Sequence, residues 1–311
     1  MKKALTALAS IALLAAPAAL AESKSFEAKP FTRIDVDGAM YVTYKSGPET
    51  QVVVETSGSD FSDALISNDG DTLVISRESL DSKGGWFSWN RSVSVSDEGK
   101  TIKVNGKKKP VYNVTVTGPD LEGVKASQSS RFNSQFINAD SFDARASSSA
   151  EMTLGGTARL ASLKASSSGE IDARTLKAAS VSIDASSSGE VDAQVTGTGE
   201  STLQASSSGD ISLVSTDAGS FNAAASSGGS IDLSGACKGI IAEASSGAEI
   251  DGNELRCATA TGKASSGGDI DLFASESAKG SASSGGDITF RGAPKSQDAS
   301  KSSGGSVEFK S

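Results

Sequence analysis

Over the carboxy-terminal two-thirds of the chain, apolar residues alternate with polar ones in short runs, and the runs return every 18 to 20 residues. Ten copies open at Ala126, Ala146, Ala165, Ala185, Ala205, Ala225, Ala244, Ala264, Ala282 and Lys301, and most read close to Ala-Ser-Ser-(Ser/Gly)-Gly-(Glu/Asp)-Ile-Asp. Six residues after the opening position stand Met152, Ile171, Val191, Ile211, Ile231, Ile250, Ile270, Ile288 and Val307; eight after it stand Leu154, Leu213, Leu233, Leu272, Phe290 and Phe309. Acids fill the alternate places: Glu151, Glu170, Glu190, Asp210, Glu249, Asp269 and Asp287 at five, then Asp172, Asp192, Asp232, Asp251, Asp271 and Glu308 at seven. A period of two with one apolar side predicts a strand with one wet face. A second strand is predicted just before each Ala, from Phe142, Val181, Phe221 and Ile240 at minus four and Leu163, Ile183 and Leu203 at minus two. The Ser-Ser-Ser-Gly phrase then reads as a corner, with Gly permitting tight backbone and Ser bonding it locally.

Two short strands and turns in about 20 residues, with no amphipathic helix, predict an all-β parallel β-helix in a single elongated domain. Right-handed winding follows by analogy with parallel crossovers. Coils stacked about 4.8 Å apart would give these ten repeats a length on the order of 45 Å. Cys237 and Cys257 test the register. Each lies seven residues before a repeat Ala, so they share one column in consecutive coils, within the reach of a disulfide. The alternative is a pair of small buried thiols, and with no His in the chain a catalytic thiol has no base to activate it.

The first 21 residues follow another rule. Lys2 and Lys3 precede an apolar stretch from Leu5 to Leu14 and a small-residue site at Ala19-Leu20-Ala21, the layout of a cleaved secretory signal peptide. The apolar run is short of the roughly 20 residues that span a bilayer, and no later segment reads as transmembrane. Cleavage would start the chain at Glu22 and, by removing two lysines and no acid, take the net charge from −9 to −11. That acidity argues against a nucleic-acid partner, which needs clustered Lys and Arg. The address predicted is periplasmic or secreted, in a bacterium.

Residues 22–125 carry looser amino-terminal coils around Phe31, Ile34, Val36, Val42, Val52 to Val54 and Leu73 to Ile75, ahead of the ten repeats in 126–311. Between 81 and 110 the pattern breaks, and an inserted hairpin or cap is predicted there. It contains Trp86, Phe87, Trp89 and Arg91, then a basic run from Lys107 to Lys109. The chain resembles the "putative auto-transporter adhesin head GIN domain" family through three features: Phe31-Thr32-Arg33-Ile34-Asp35-Val36-Asp37-Gly38; Val114-Thr115-Val116 followed by Pro119, Leu121 and Val124; and the Ser-Ser-Gly-(Glu/Asp)-Ile repeats. The resemblance implies a β-helical exported domain of adhesive character, with no catalytic residues to carry over. A translocating barrel, as an autotransporter would need, does not follow the last repeat before Ser311.

Candidate chemistry lies in two places. Stacked acids such as Glu170, Asp172, Glu190 and Asp192 would share a hard cation like Ca²⁺ only adventitiously; a solvated acidic face that blocks lateral pairing is the favoured reading, and no cofactor is implied. Trp86, Phe87, Trp89 and Arg91 would contact a cell-envelope glycan or protein, or else plug the amino-terminal end of the coil stack. The predicted function is non-enzymatic: envelope binding or adhesion. The alternatives are a carbohydrate-acting enzyme using surface carboxylates and a self-assembling rod.

Overall fold

The computed structural model describes residues 22–80, 92–96 and 99–310. Among them there is no α-helix, and the repeats form a β-solenoid of about 9 turns. Coils stack in parallel and in register, so that each repeat position lies on its own copy: Glu170 opposite Glu190, Ile171 opposite Val191, Ala185 opposite Ala205, Cys237 opposite Cys257. The columns six and eight residues after each Ala face inward. Ile171, Val191, Ile231, Ile250 and Ile270 are fully buried, and Leu154, Leu213, Leu233, Leu272 and Phe290 nearly so.

Each full coil has three faces where the sequence pattern predicts two. In Glu170–Ser186 the inward residues are Ile171 and Ala173, then Leu176 and Ala178, then Val181, Ile183 and Ala185. Two neighbours point outward together at Arg174–Thr175 and again at Ala179–Ser180, and each such break in a period of two turns the chain through a corner. The middle face is short and hides from a periodicity count. Differences in coil length are absorbed beside it, since the pairing slips between Thr153 and Gly155, between Ala173 and Ala178, and between Ser215 and Gly219. Cys237 and Cys257 lie on this face, buried and joined by a disulfide with Cα atoms 4.3 Å apart.

The serine corner is a β-turn with two left-handed central residues, the signature of type I′. Ser167 and Ser168 have φ of 51° and 61°, and the Gly169 N–H donates to the Ser166 carbonyl at 2.9 Å. Later coils relieve the second left-handed position with glycine, as at Gly228 and Gly267. The glycine that ends the phrase has a different role from the one the sequence suggests. Gly229 and Gly268 do not take a positive φ; they pass so close to the preceding coil that a Cβ on Gly268 would lie 2.5 Å from the Ala244 carbonyl oxygen.

At the amino-terminal end the stack changes character. On one face the ladder runs from Arg131–Ser134 to Tyr41–Ser46 and Asn113–Gly118 in parallel, then antiparallel to Gln51–Thr56 and Glu22–Phe26. On the other it runs from Asp143–Ala146 through Gly123–Ala126, Arg33–Val36 and Thr72–Arg77, then antiparallel to Ala64–Asp69. One hydrophobic core extends from Phe31 to Val307, across both sequence segments.

The insertion is seated on this end. Val93–Ser96, Thr101–Val104 and Lys107–Lys109 form a separate antiparallel sheet whose Ile102 and Val104 pack on Ala39 and Leu80. Fully buried Arg77 ties it down. Its guanidinium donates to the carbonyls of Gly38 and Pro110 and pairs with Asp63 at 3.0 Å, while Lys109 reaches the same carboxylate at 3.3 Å. Burial works against charge on both partners. It leaves Arg77 below its usual pKa, whereas at Asp63 the Ser79 and Arg77 hydrogen bonds overcome it and hold the carboxyl low.

Candidate functional site

Because the interior is packed with side chains, the chemistry of this protein lies on outward positions, which the strand period places in rows one coil apart. The first face carries the acids. Glu151, Glu170, Glu190 and Asp210 stand in one column and Asp172 and Asp192 in the next. Burial, then the charges of Glu190 and Glu151, push the Glu170 carboxyl up; burial, then Asp269, does the same to Glu249. Asp172 is held low by hydrogen bonds from Arg174, whose guanidinium pairs with it at 2.7 Å and lies 3.8 Å from Asp192. Of the four cation candidates, then, two share an arginine. Among the described residues no group of three or more His, Cys, Asp or Glu is arranged to hold a metal ion.

Where the acidic columns meet the amino-terminal rows, their composition changes. Arg131 occupies the place that acids hold in later coils, next to Tyr41 of the row beyond and Glu151 of the row behind. Its guanidinium lies 5.2 Å from the Tyr41 ring centroid and pairs with Glu151 at 2.8 Å. The Tyr41 hydroxyl donates to the Gly99 carbonyl at 3.3 Å, linking this row to the insertion, and burial raises its pKa. Between these rows is a recess of about 230 Å³ bordered by Thr43, Asn113, Asn133 and Thr153. The sequence reading passed over this group, although a cation in a column of acids was a visible signal.

A longer groove of about 570 Å³ crosses the third face, between the serine corners and outward side chains that include Gln204, Ala224, Glu243 and Lys263. Ala224 and Ser281 are the small residues in a column that otherwise holds Asp184, Gln204, Glu243 and Lys263, and a Lys263–Glu243 pair at 2.6 Å lies within the groove. Trp86, Phe87, Trp89 and Arg91 lie outside the described residues. No helix among the described residues is long and apolar enough to cross a membrane.

Comparison with solved structures gives matches along nearly the whole chain at low identity. A "putative adhesin" from Bacteroides fragilis NCTC 9343 is 15% identical with a TM-score of 0.31, covering 94% of this chain and 98% of that one. A "putative lipid binding protein" from Parabacteroides distasonis ATCC 8503 is 15% identical with a TM-score of 0.43, covering 93% and 96%. A "putative adhesin" from Parabacteroides merdae ATCC 43184 is 14% identical with a TM-score of 0.43, covering 93% and 95%. No curated protein matches the chain. The family profile described as "Putative auto-transporter adhesin, head GIN domain" matches residues 30–214 and 197–294, and the chain belongs to that family.

Proposed function

We propose that this chain is an exported, non-enzymatic binding module of the bacterial cell envelope, which holds an amino-terminal contact segment on a stiff β-solenoid. Membership of an adhesin-like family is the observation that carries this reading. The architecture supports it: a continuous core keeps the outer rows in fixed geometry, and the buried Arg77 network fixes both ends of the inserted segment to the same core. The contact is made by residues 81–110, where the two tryptophans of the chain, Trp86 and Trp89, accompany Arg91 and a lysine run. Tryptophan and arginine are enriched where binding energy concentrates. The partner is a glycan or protein of the envelope.

The test is quenching of intrinsic tryptophan fluorescence in the chain from Glu22, alone and with separated envelope fractions, next to Trp86→Ala and Trp89→Ala. Protection of the indoles by one fraction, with weaker retention of both variants, is the expected result. Indoles that are inaccessible in the free protein, and variants retained as well as the parent, would make the segment a structural plug and overturn the assignment.

A further inference from the structure

From the recess beside Tyr41 we infer that it binds a neutral sugar residue of a glycan chain. The inference rests on the reading of the chain as a binding module but places recognition on the solenoid face, at a site apart from the tryptophan segment.

Its centre is an ion pair held ready. Arg131 lies against the Tyr41 ring and is joined to Glu151 at 2.8 Å, yet the two side chains keep 46% and 51% of their surface exposed. A guanidinium has five donors and a carboxylate about four acceptor sites, so each retains capacity after pairing. A donor set and an acceptor set side by side complement adjacent sugar hydroxyls, each of which both donates and accepts. Tyr41 is itself fixed, by its bond to the Gly99 carbonyl and by packing on the insertion's small core. The pair therefore sits on strands and is ordered before a ligand arrives, which reduces the entropy lost on binding.

The rim fits the same ligand. Thr43, Asn113, Asn133 and Thr153 are exposed, and none of these side chains makes a hydrogen bond among the described residues. They supply hydroxyl and amide groups without net charge. Because Glu151 balances Arg131, and Glu170 and Asp172 follow in the next coil, an anionic sugar would meet repulsion where a neutral one does not. A recess of about 230 Å³ is smaller than the roughly 300–1,000 Å³ typical of sites for drug-sized molecules, which suits one ring of a chain whose remainder lies along the face.

The experiment is calorimetric titration of the chain from Glu22 with neutral tetrasaccharides of glucose, galactose, mannose and N-acetylglucosamine, and with tetragalacturonate as the anionic probe. Arg131→Met, Asn133→Ala, Trp86→Ala and the distant surface variant Lys279→Ala are titrated in parallel after circular dichroism shows them folded. At least one neutral probe should bind saturably, tenfold or more weakly in Arg131→Met and Asn133→Ala, and unchanged in Lys279→Ala. Overturning results are no binding of any neutral probe, tighter binding of tetragalacturonate, or full binding by both recess variants. Loss in Trp86→Ala alone would move recognition to the insertion, against this inference and in favour of the preceding proposal. Neutral binding without tryptophan-dependent envelope retention would do the reverse.

Discussion

Adding a single methyl at Gly229 tests the stacking geometry. A Cβ there would lie 2.6 Å from both the carbonyl carbon and oxygen of Ala205 in the preceding coil, closer than real Cβ contacts come, so the coils must part. The molecule shows how far they give. Wherever this corner position carries a side chain, at Ser130, Ala150 and Ala248, the turn's closing hydrogen bond measures 3.2 Å; at Gly169, Gly189, Gly209, Gly229, Gly268, Gly286 and Gly305 it measures 2.9–3.0 Å. The strain is thus partly relieved by opening the turn. Overpacking typically costs about 1–3 kcal/mol, and the stiffer unfolded chain returns about 0.4–1 kcal/mol, leaving Gly229→Ala less stable by roughly 0.5–2 kcal/mol. The reverse change, Ala248→Gly, deletes a buried methyl worth about 0.8 kcal/mol and loosens the unfolded chain, so it too destabilises, by roughly 1–2 kcal/mol. Urea unfolding followed by circular dichroism measures both, with amide exchange at the neighbouring coils to show that the loss is local. A Gly229→Ala protein as stable as the parent or more so would refute close approach as the reason for the glycine.

Three further outcomes follow from the same structure. Replacing Cys237 and Cys257 together by serine should lower stability by about 3 kcal/mol, the value for a closed loop of similar length, and a reductant should bring the parent down to the variant in the same urea titration. Arg77→Met leaves Asp63 buried beside only Lys109 and Ser79, which should cost about 3–5 kcal/mol, and adding Asp63→Asn should recover part of it; equal stability of the single and double variants would contradict a buried pair. Glu170, Asp232, Glu249 and Asp269 have folded pKa values raised first by burial and then by like charges, so their ionisation opposes folding above those values and the penalty is relieved as pH falls through them. The Tm should therefore rise as pH falls from 7 through the raised carboxylates and fall again at lower pH as Asp63 and Asp172, held low in the fold, take up protons. Glu170→Gln with Glu249→Gln should raise the neutral-pH Tm and flatten the rise; a Tm that declines steadily from pH 7 in both proteins would refute the sign.

The repeat was legible where neighbouring coils share one spacing. Columns such as Ile231, Ile250 and Ile270 stay aligned because the distance from the serine corner to the first face is constant. The middle face was not legible, because coil length varies next to it and its inward residues drift relative to the repeat Ala: Leu176 and Leu255 stand eleven places after it, Val195 ten. The strand Gln51–Thr56 alternates in burial as coil strands do, so period alone could not give its antiparallel direction, and Glu22–Phe26, exposed along most of its length, has no alternation to read. Tyr41 and Arg131 are 90 residues apart, and only the parallel ladder shows that they touch.

The departures from the repeat are also the places where an outer surface gains specificity. Inward columns answer to packing, and each must match the coil above and below, which leaves little freedom for a ligand to select. Outward columns answer mainly to solvent, and in the acidic stretch they repeat with little change from coil to coil; a repeated surface offers the same contact many times and distinguishes no single place. Arg131 breaks the acid column, Ala224 and Ser281 break a column of longer side chains, and the insertion at 81–110 breaks the coil itself. The first lies where the row of Tyr41 meets the insertion through Gly99, and both Arg77 and Lys109 tie that end to the core. The recognition we propose for this solenoid is therefore placed at its amino-terminal end, where the backbone that carries the pattern breaks is held by a buried ion pair rather than by repetition.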